Sequence, residues 1–220
     1  GDAANVNTDV YFYESAVSTL RNVTDFLIAV PQRRKSLIWI SPGVPLDMES
    51  TAPVLASGVG KGMADKEAMS QLIDDVQEVF RRAQRANVAI YPIDPSGLGG
   101  MEAYITSRLA GKMSGPDLMT FAHKQATNQL DLVEMMAANT GGHAVVNSNT
   151  FEEGIAQVFR ENSSYYLLGF QPANTKADGK LRRVEVKVAK PDTEVRARNG
   201  YYAPEPVKVT ETARASSASP

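Results

Sequence analysis

Apolar residues in the first part of the chain recur three and four apart. Between Thr8 and Val30 they fall at Val17, Leu20, Val23, Leu27 and Ile28, the stripe of an amphipathic helix that Pro31 ends. The period then disappears. Ser36-Leu-Ile-Trp-Ile-Ser41 is continuously apolar, is stopped by Pro42-Gly43, and reads as a strand covered on both faces, as in a parallel sheet. A loop rich in Pro, Gly and Ser follows from Val44 to Gly62. Asp65 then N-caps a second helix, with Met69, Leu72, Ile73, Val76, Val79, Phe80 and Ala83 on one face and Asn87 at a left-handed C-cap. Val88-Ala-Ile-Tyr-Pro-Ile93 is the next strand, and Pro92, which has no amide to donate, belongs where its pairing stops.

Gly97 to Asn128 reads as a long insertion holding at most a short helix near Leu118–Lys124. Leu130, Val133, Met136 and Ala137 define a third helix, closed by Gly141-Gly142, and Ala144-Val-Val146 is a short strand. Thr150-Phe-Glu-Glu153 has the capping-box pattern, opening a fourth helix with Phe151, Ile155, Val158 and Phe159 toward the core. Near Ser163 the period becomes two. Tyr165–Phe170, Val184–Val188 and Val195–Ala197 predict an antiparallel meander of three strands, with turns at Asp178-Gly179 and Pro191-Asp192. Helix and strand alternation followed by a meander implies an α/β fold: a three-layer, mainly parallel sheet with right-handed crossovers and a C-terminal antiparallel extension.

Composition narrows the function classes. The 220 residues are 43% hydrophobic, enough for one sizeable core, and the net charge of -2 lacks the basic footprint of a nucleic-acid binder. Arg33-Arg34-Lys35, Arg81-Arg82 and Arg182-Arg183 each flank an apolar segment and read as solvated element ends. The absence of cysteine removes disulfides, thiolate metal sites and thiol catalysis. No run is apolar enough to span a membrane, and the first residues do not read as a signal peptide, so an excised or processed piece is expected. Residues 205–220 read as a linker or disordered tail.

Arg34–Ser41, Ala86–Asp94, Thr140-Gly141-Gly142 and Ser164–Phe170, continued by Asp178-Gly179-Lys180 through Gly200-Tyr-Tyr-Ala-Pro204, resemble the von Willebrand factor type A-related proteins of acidobacterial soil bacteria. The order and spacing of these stretches carry the resemblance across most of residues 8–204, outside the two long loops. It implies a doubly wound sheet over residues 1–162 that lacks its first strands, with the antiparallel extension at 163–204 packed on the same domain. It also implies a secreted, periplasmic or envelope location and a non-catalytic, adhesion-type module that binds a protein partner. The missing strands would leave apolar surface exposed, to be covered by the N-terminal half of the domain or by self-association. Many members bind a divalent cation through an Asp-x-Ser-x-Ser turn, which this chain lacks in the corresponding place, and through an aspartate after the fourth strand, where this chain has Pro42. Both departures argue against a working metal site and for no cofactor.

Ser41, Asp47, Asp94 and Ser96 remain the oxygen ligands that could gather at the carboxyl ends of the strands, where open α/β sheets bind ligands. The competing and preferred reading makes Asp94 and Ser96 a turn before Gly97. Ser41, Asp94 and His143 stand in the chain order of an α/β-hydrolase triad, but the Gly-x-Ser-x-Gly elbow is missing and nothing indicates an oxyanion hole, so no catalytic residue is assigned. His123 is too isolated for a zinc site. Met101, Met113 and Met119 read as the cover of a core edge before an adaptable binding surface. Tyr165-Tyr166 and Tyr201-Tyr202 read as strand residues with one ring of each pair in the core. The loops 44–62 and 97–128 are the expected contact surface.

Overall fold

A computed structural model describes residues 3–30, 34–44, 63–193 and 195–205. The elements are α1 (Ala3–Ile28), β1 (Lys35–Ile40), α2 (Met63–Arg85), β2 (Val88–Ile93), α3 (Gly100–Leu109), α4 (Gly115–Thr140), α5 (Glu152–Ser163), β3 (Leu181–Arg183) and β4 (Gly200–Tyr202). The class is α/β, with a small parallel sheet and a separate antiparallel pair.

β1 and β2 run parallel, with Leu37 beside Ile90 and Ile40 beside Ile93. On the far side of β2 the third expected strand, Ala144–Val146, is reduced to a single parallel bridge between Ile93 and Val145. Val145 donates its amide to the Pro92 carbonyl at 2.8 Å, and Asp94 donates to the Val145 carbonyl at 2.9 Å. The next rung toward the strand starts would need the amide of residue 92, which proline lacks. Pro92 therefore sits inside a strand that pairs fully with β1, and what it interrupts is the ladder on its other side. Below the break, the Thr140 hydroxyl accepts the Ile90 amide at 2.9 Å. The backbone of Gly142 lies against the Ile90 carbonyl so closely that a Cβ there would come within 1.8 Å of the oxygen.

Side chains alternate across the strands, and the two faces are covered unequally. Leu37, Trp39, Val88 and Ile90 pack with Val17 and Leu20 of α1, Val76, Val79, Phe80 and Ala83 of α2, and Leu132 and Met136 of α4. Each fully buried large aliphatic or Phe side chain here contributes about 1.5–3 kcal/mol. On the opposite face, among the described residues, Ala89, Tyr91 and Val158 of α5 form a smaller buried cluster. The expectation that β1 is covered on both faces therefore fails: its burial alternates, leaving Ile38 41% and Ile40 68% exposed. β1 is an edge strand in this sheet, and one helix is too narrow to cover its second face.

Other departures have local causes. Gly97–Asn128 is no loop. It holds α3 and the first half of α4, a single 26-residue helix that opens with Pro116 in its first turn and stops at Gly141, φ 79°. Gln125 and Gln129 interrupt the buried stripe of Leu118, Ala122, Ala126, Leu132 and Val133, which disguised the continuity of the helix. α5 starts at Glu152 without a side-chain cap, because Thr150 is drawn into a turn in which its amide donates to Ser148 Oγ. Ile155 and Phe159 are exposed, and of the expected core face only Val158 is buried. None of the three expected meander strands forms, residues 195–197 included; the antiparallel pair lies just outside them, at β3 and β4, with Arg182 beside Tyr201. Tyr165–Phe170 and residues 184–188 form no regular strand, and Tyr166 is 93% exposed. The left-handed Asn87 cap (φ 52°) and the α2 face agree with the sequence reading. Beyond Val44, the loop 44–62 lies outside the described residues, as do residues 206–220 of the tail.

Candidate functional site

The carboxyl ends of β1 and β2 bring two of the anticipated residues together. Ser41 donates its amide to the Ile93 carbonyl at 3.0 Å, so the ladder places it beside Asp94 on the adjacent strand. Both follow the alternation onto the face that carries α4, and Asp94 is 3% exposed. Each side chain is engaged locally. Asp94 Oδ1 accepts the Ser96 amide at 2.9 Å, the turn anticipated from sequence, and Ser41 Oγ accepts the Gly43 amide at 3.1 Å. Across the edge, Asn149 Oδ1 accepts the Leu98 amide at 2.9 Å and fastens the loop after Val145 to the loop after β2. Asp47 lies outside the described residues. Among the described residues no group of three His, Asp or Glu side chains converges in a manner that would hold a metal ion.

His143 does not join Ser41 and Asp94. The Val145–Ile93 bridge sets it level with Tyr91, about 10 Å down the strand from Asp94. Its Nδ1 lies 2.9 Å from Arg196 Nη1, and Arg196 in turn meets Glu161 at 3.0 Å. His123 sits on an exposed stretch of α4, with Nδ1 3.2 Å from Glu102 of α3.

Two side chains that sequence reasoning passed over stand near the same edge. Gln125 and Gln129 are about 5% and 6% exposed, and the Oε1 atoms of both have no hydrogen-bond partner. The Gln129 backbone abuts Gly43, where a Cβ would lie 2.9 Å from the Gln129 carbonyl oxygen. Two glutamines four apart within a helical stripe were the available signal. Beside them, α3 buries none of its residues. Leu98 in the loop before α3, Tyr104 on α3 and Met119 on α4 are 69%, 55% and 57% exposed. Of the anticipated methionines, Met119 is thus exposed, while Met101 and Met113 are half-buried. A shallow depression of about 640 Å³ lies elsewhere, along the outer side of Val145 and α5, lined by Ser148, Thr150, Glu153 and Gln157.

The opposite, amino-terminal end of the sheet gathers cations with a structural task. Lys35 donates to the Ala86 carbonyl, Arg34 to the Gly141 carbonyl at 3.0 Å, and Arg198 to the Gln84 and Thr140 carbonyls at 3.3 and 3.2 Å. These carbonyls are the free ends of α2 and α4, where the helix dipoles favour positive charge. Arg198 Nη2 also donates to Asn87 Oδ1 at 2.7 Å. Burial, and then the neighbouring Arg34 charge, push the Arg198 guanidinium below its ordinary value. Arg34 donates to the Tyr91 hydroxyl as well, which satisfies a phenol inside the thinner cluster. No helix among the described residues is long and apolar enough to cross a membrane. Compared with protein-family models, with curated proteins and with solved structures, the chain matches none.

Proposed function

We propose that this chain is the C-terminal part of a von Willebrand factor A-like, doubly wound domain that serves a secreted or envelope protein as a non-catalytic protein-interaction module. Parallel strands in chain order, with helices on both faces, are what such a part would contribute. The observation that carries the binding role is the stretch from the loop after β2 into α3 and α4, which exposes Leu98, Tyr104 and Met119. Apolar side chains grouped on a scaffolded element mark contact surfaces. The non-catalytic reading rests on the local engagement of Ser41 and Asp94 and on the distance of His143 from both. The same engagement, with Pro42 where the family would place an aspartate, supports binding without a shared cation.

The test replaces Leu98, Tyr104 and Met119 together by serine. Exposed substitutions of this kind shift stability by about 0.5 kcal/mol or less each, so the fold survives. The native chain retains a discrete protein from an envelope extract, the triple variant loses it, and Ser41→Ala keeps it. Undiminished retention by the triple variant refutes this surface. Hydrolysis of p-nitrophenyl acetate that disappears in Ser41→Ala refutes the non-catalytic reading.

A further inference from the structure

Among the described residues, the open edge of β1 has neither proline, bulge, outward-facing charge nor a covering strand. Lys35 and Ser41 donate their amides to Asn87 and Ile93 on the β2 side, so the odd positions of β1 pair inward. The amides and carbonyls of Ser36, Ile38 and Ile40 consequently point away from β2, at an edge with no neighbouring strand in the sheet. None of these three is charged or proline, and β1 contains no bulge. Their side chains also occupy the thinly covered face. α5 crosses that face with Asn162 bonded to Ser36, and Phe159 and Ile155 lie one and two turns back along the same helical stripe. Ile38 and Ile40 on β1, and Ile155 and Phe159 on the helix that Ser36 contacts, are thus exposed apolar side chains near the open edge.

Past α5 the apolar surface continues. Tyr165 lies under Arg34, 5.4 Å from its guanidinium carbon, at the foot of β1, and Tyr166, Leu167 and Leu168 follow at 93%, 81% and 70% exposure. Taking about 200 Å² for each fully exposed side chain, Ile38, Ile40, Ile155, Phe159 and residues 166–168 together expose roughly 900 Å² per copy. A stable interface takes about 800 Å² from each partner.

We infer that this edge is the interface with a second copy of the chain, β1 pairing antiparallel with its counterpart about a twofold axis at Ile38. In that register Ser36 faces Ile40 of the second copy and Ile38 faces its own equivalent. The three outward amides and three outward carbonyls of each copy are all satisfied. A twofold perpendicular to the sheet keeps like faces on the same side, so Ile38 and Ile40 of both copies join one apolar face flanked by two α5 helices. The interface is independent of the α3–α4 surface and gives the self-association reading a specific strand and register.

Sedimentation velocity of the whole chain from roughly 1 to 100 µM tests the interface, since an area of this size gives micromolar or tighter association. The expected result is a shift from monomer to dimer mass, abolished in Ile38→Lys, which sets two like charges opposite one another on the axis, and in Ile40→Lys, which buries a charge in the apolar face of the interface. Phe12→Ser, on the exposed surface of α1, leaves the dimer intact. Circular dichroism melts report whether the lysine variants stay folded. Hydrogen exchange should show the amides of residues 36, 38 and 40 protected only at dimerising concentrations. A monomer throughout, a dimer indifferent to both lysines, or protection of these amides in the monomer, which would mean that another part of the chain already covers the edge, each overturns the proposal.

Discussion

Thr140→Val deletes one hydroxyl and keeps the shape of the side chain. Thr140 and Ile90 are both fully buried, at 0% exposure. The hydroxyl accepts the Ile90 amide at 2.9 Å and donates to the Met136 carbonyl at 2.8 Å. The carbonyl also belongs to the backbone ladder of α4, so it tolerates the loss. The amide has no alternative, because the third strand stops at Val145 and Gly142 crowds the site. A buried amide left unpaired costs about 1–3 kcal/mol. Thr140→Ser is the control. It keeps the hydroxyl and removes a methyl group, which costs about 0.5–1.5 kcal/mol. For a chain of this size each kcal/mol moves Tm by about 2–4 °C, so valine should lower Tm by roughly 4–8 °C and serine by about half as much. Differential scanning calorimetry gives the order of the two variants, and hydrogen exchange at Ile90 gives the cause, since only valine should accelerate that amide selectively. Valine matching the native chain, or exceeding serine in stability, refutes the claim that this hydroxyl substitutes for a missing strand rung.

Gly142→Ala forces a Cβ to within 1.8 Å of the Ile90 carbonyl, a clash with backbone that no rotamer relieves. A loss of about 3 kcal/mol or more is expected in urea titrations. Arg198→Met keeps the side-chain stem but strips its hydrogen bonds from the Gln84 and Thr140 carbonyls and from Asn87. A loss of about 2 kcal/mol is expected, larger than for Arg183→Met on the exposed side of β3. Burial pushes the Glu78 carboxyl up, but hydrogen bonds and charge from Arg81 and Arg82 outweigh it and hold the group below its ordinary value. A carboxylate depressed in the folded state adds stability above its unfolded pKa and loses it as pH falls through the folded value. Acid titration followed by circular dichroism should therefore show stability falling below about pH 4.5, less steeply in Glu78→Gln.

The core of the first half was legible because one property, helical or continuous apolarity, decided each element. Val76, Val79 and Phe80, and the uninterrupted run Val88–Ile93, needed no tertiary information to be placed. Asp94 and Ser96 were equally local, since a short acidic side chain two residues before an amide closes its own turn. What was not legible depended on partners distant in sequence. Gln125 and Gln129 look like the solvated side of a helix; both are buried, and Gly43 packs against the Gln129 backbone. The third strand had the right residues, and proline at position 92 of its neighbour limited it to one bridge. His143 belongs to the right strand, and only the register shows it three residues too early to meet Asp94.

The remaining mismatch has a direction. Ile38, Ile40, Ile155, Phe159 and Leu167 all read as interior residues from their patterns, and all are exposed. An error of helix or strand type would scatter such residues over the surface. These fall instead along the open edge of β1, on the face above it and on α5 beside it, while the α1, α2 and α4 side of the same strands is closed. The local propensities of β1 and α5 are also satisfied, because both elements form where the pattern places them. The sequence therefore encodes more burial than one copy of this chain supplies, and part of the excess lies along a strand edge that has no paired neighbour among the described residues. Hydrophobic pattern and hydrogen-bond accounting are independent measures of incompleteness. Their agreement on Ser36, Ile38 and Ile40 makes this edge, more than the carboxyl end where Ser41 and Asp94 are already engaged, the place where the structure calls for another polypeptide.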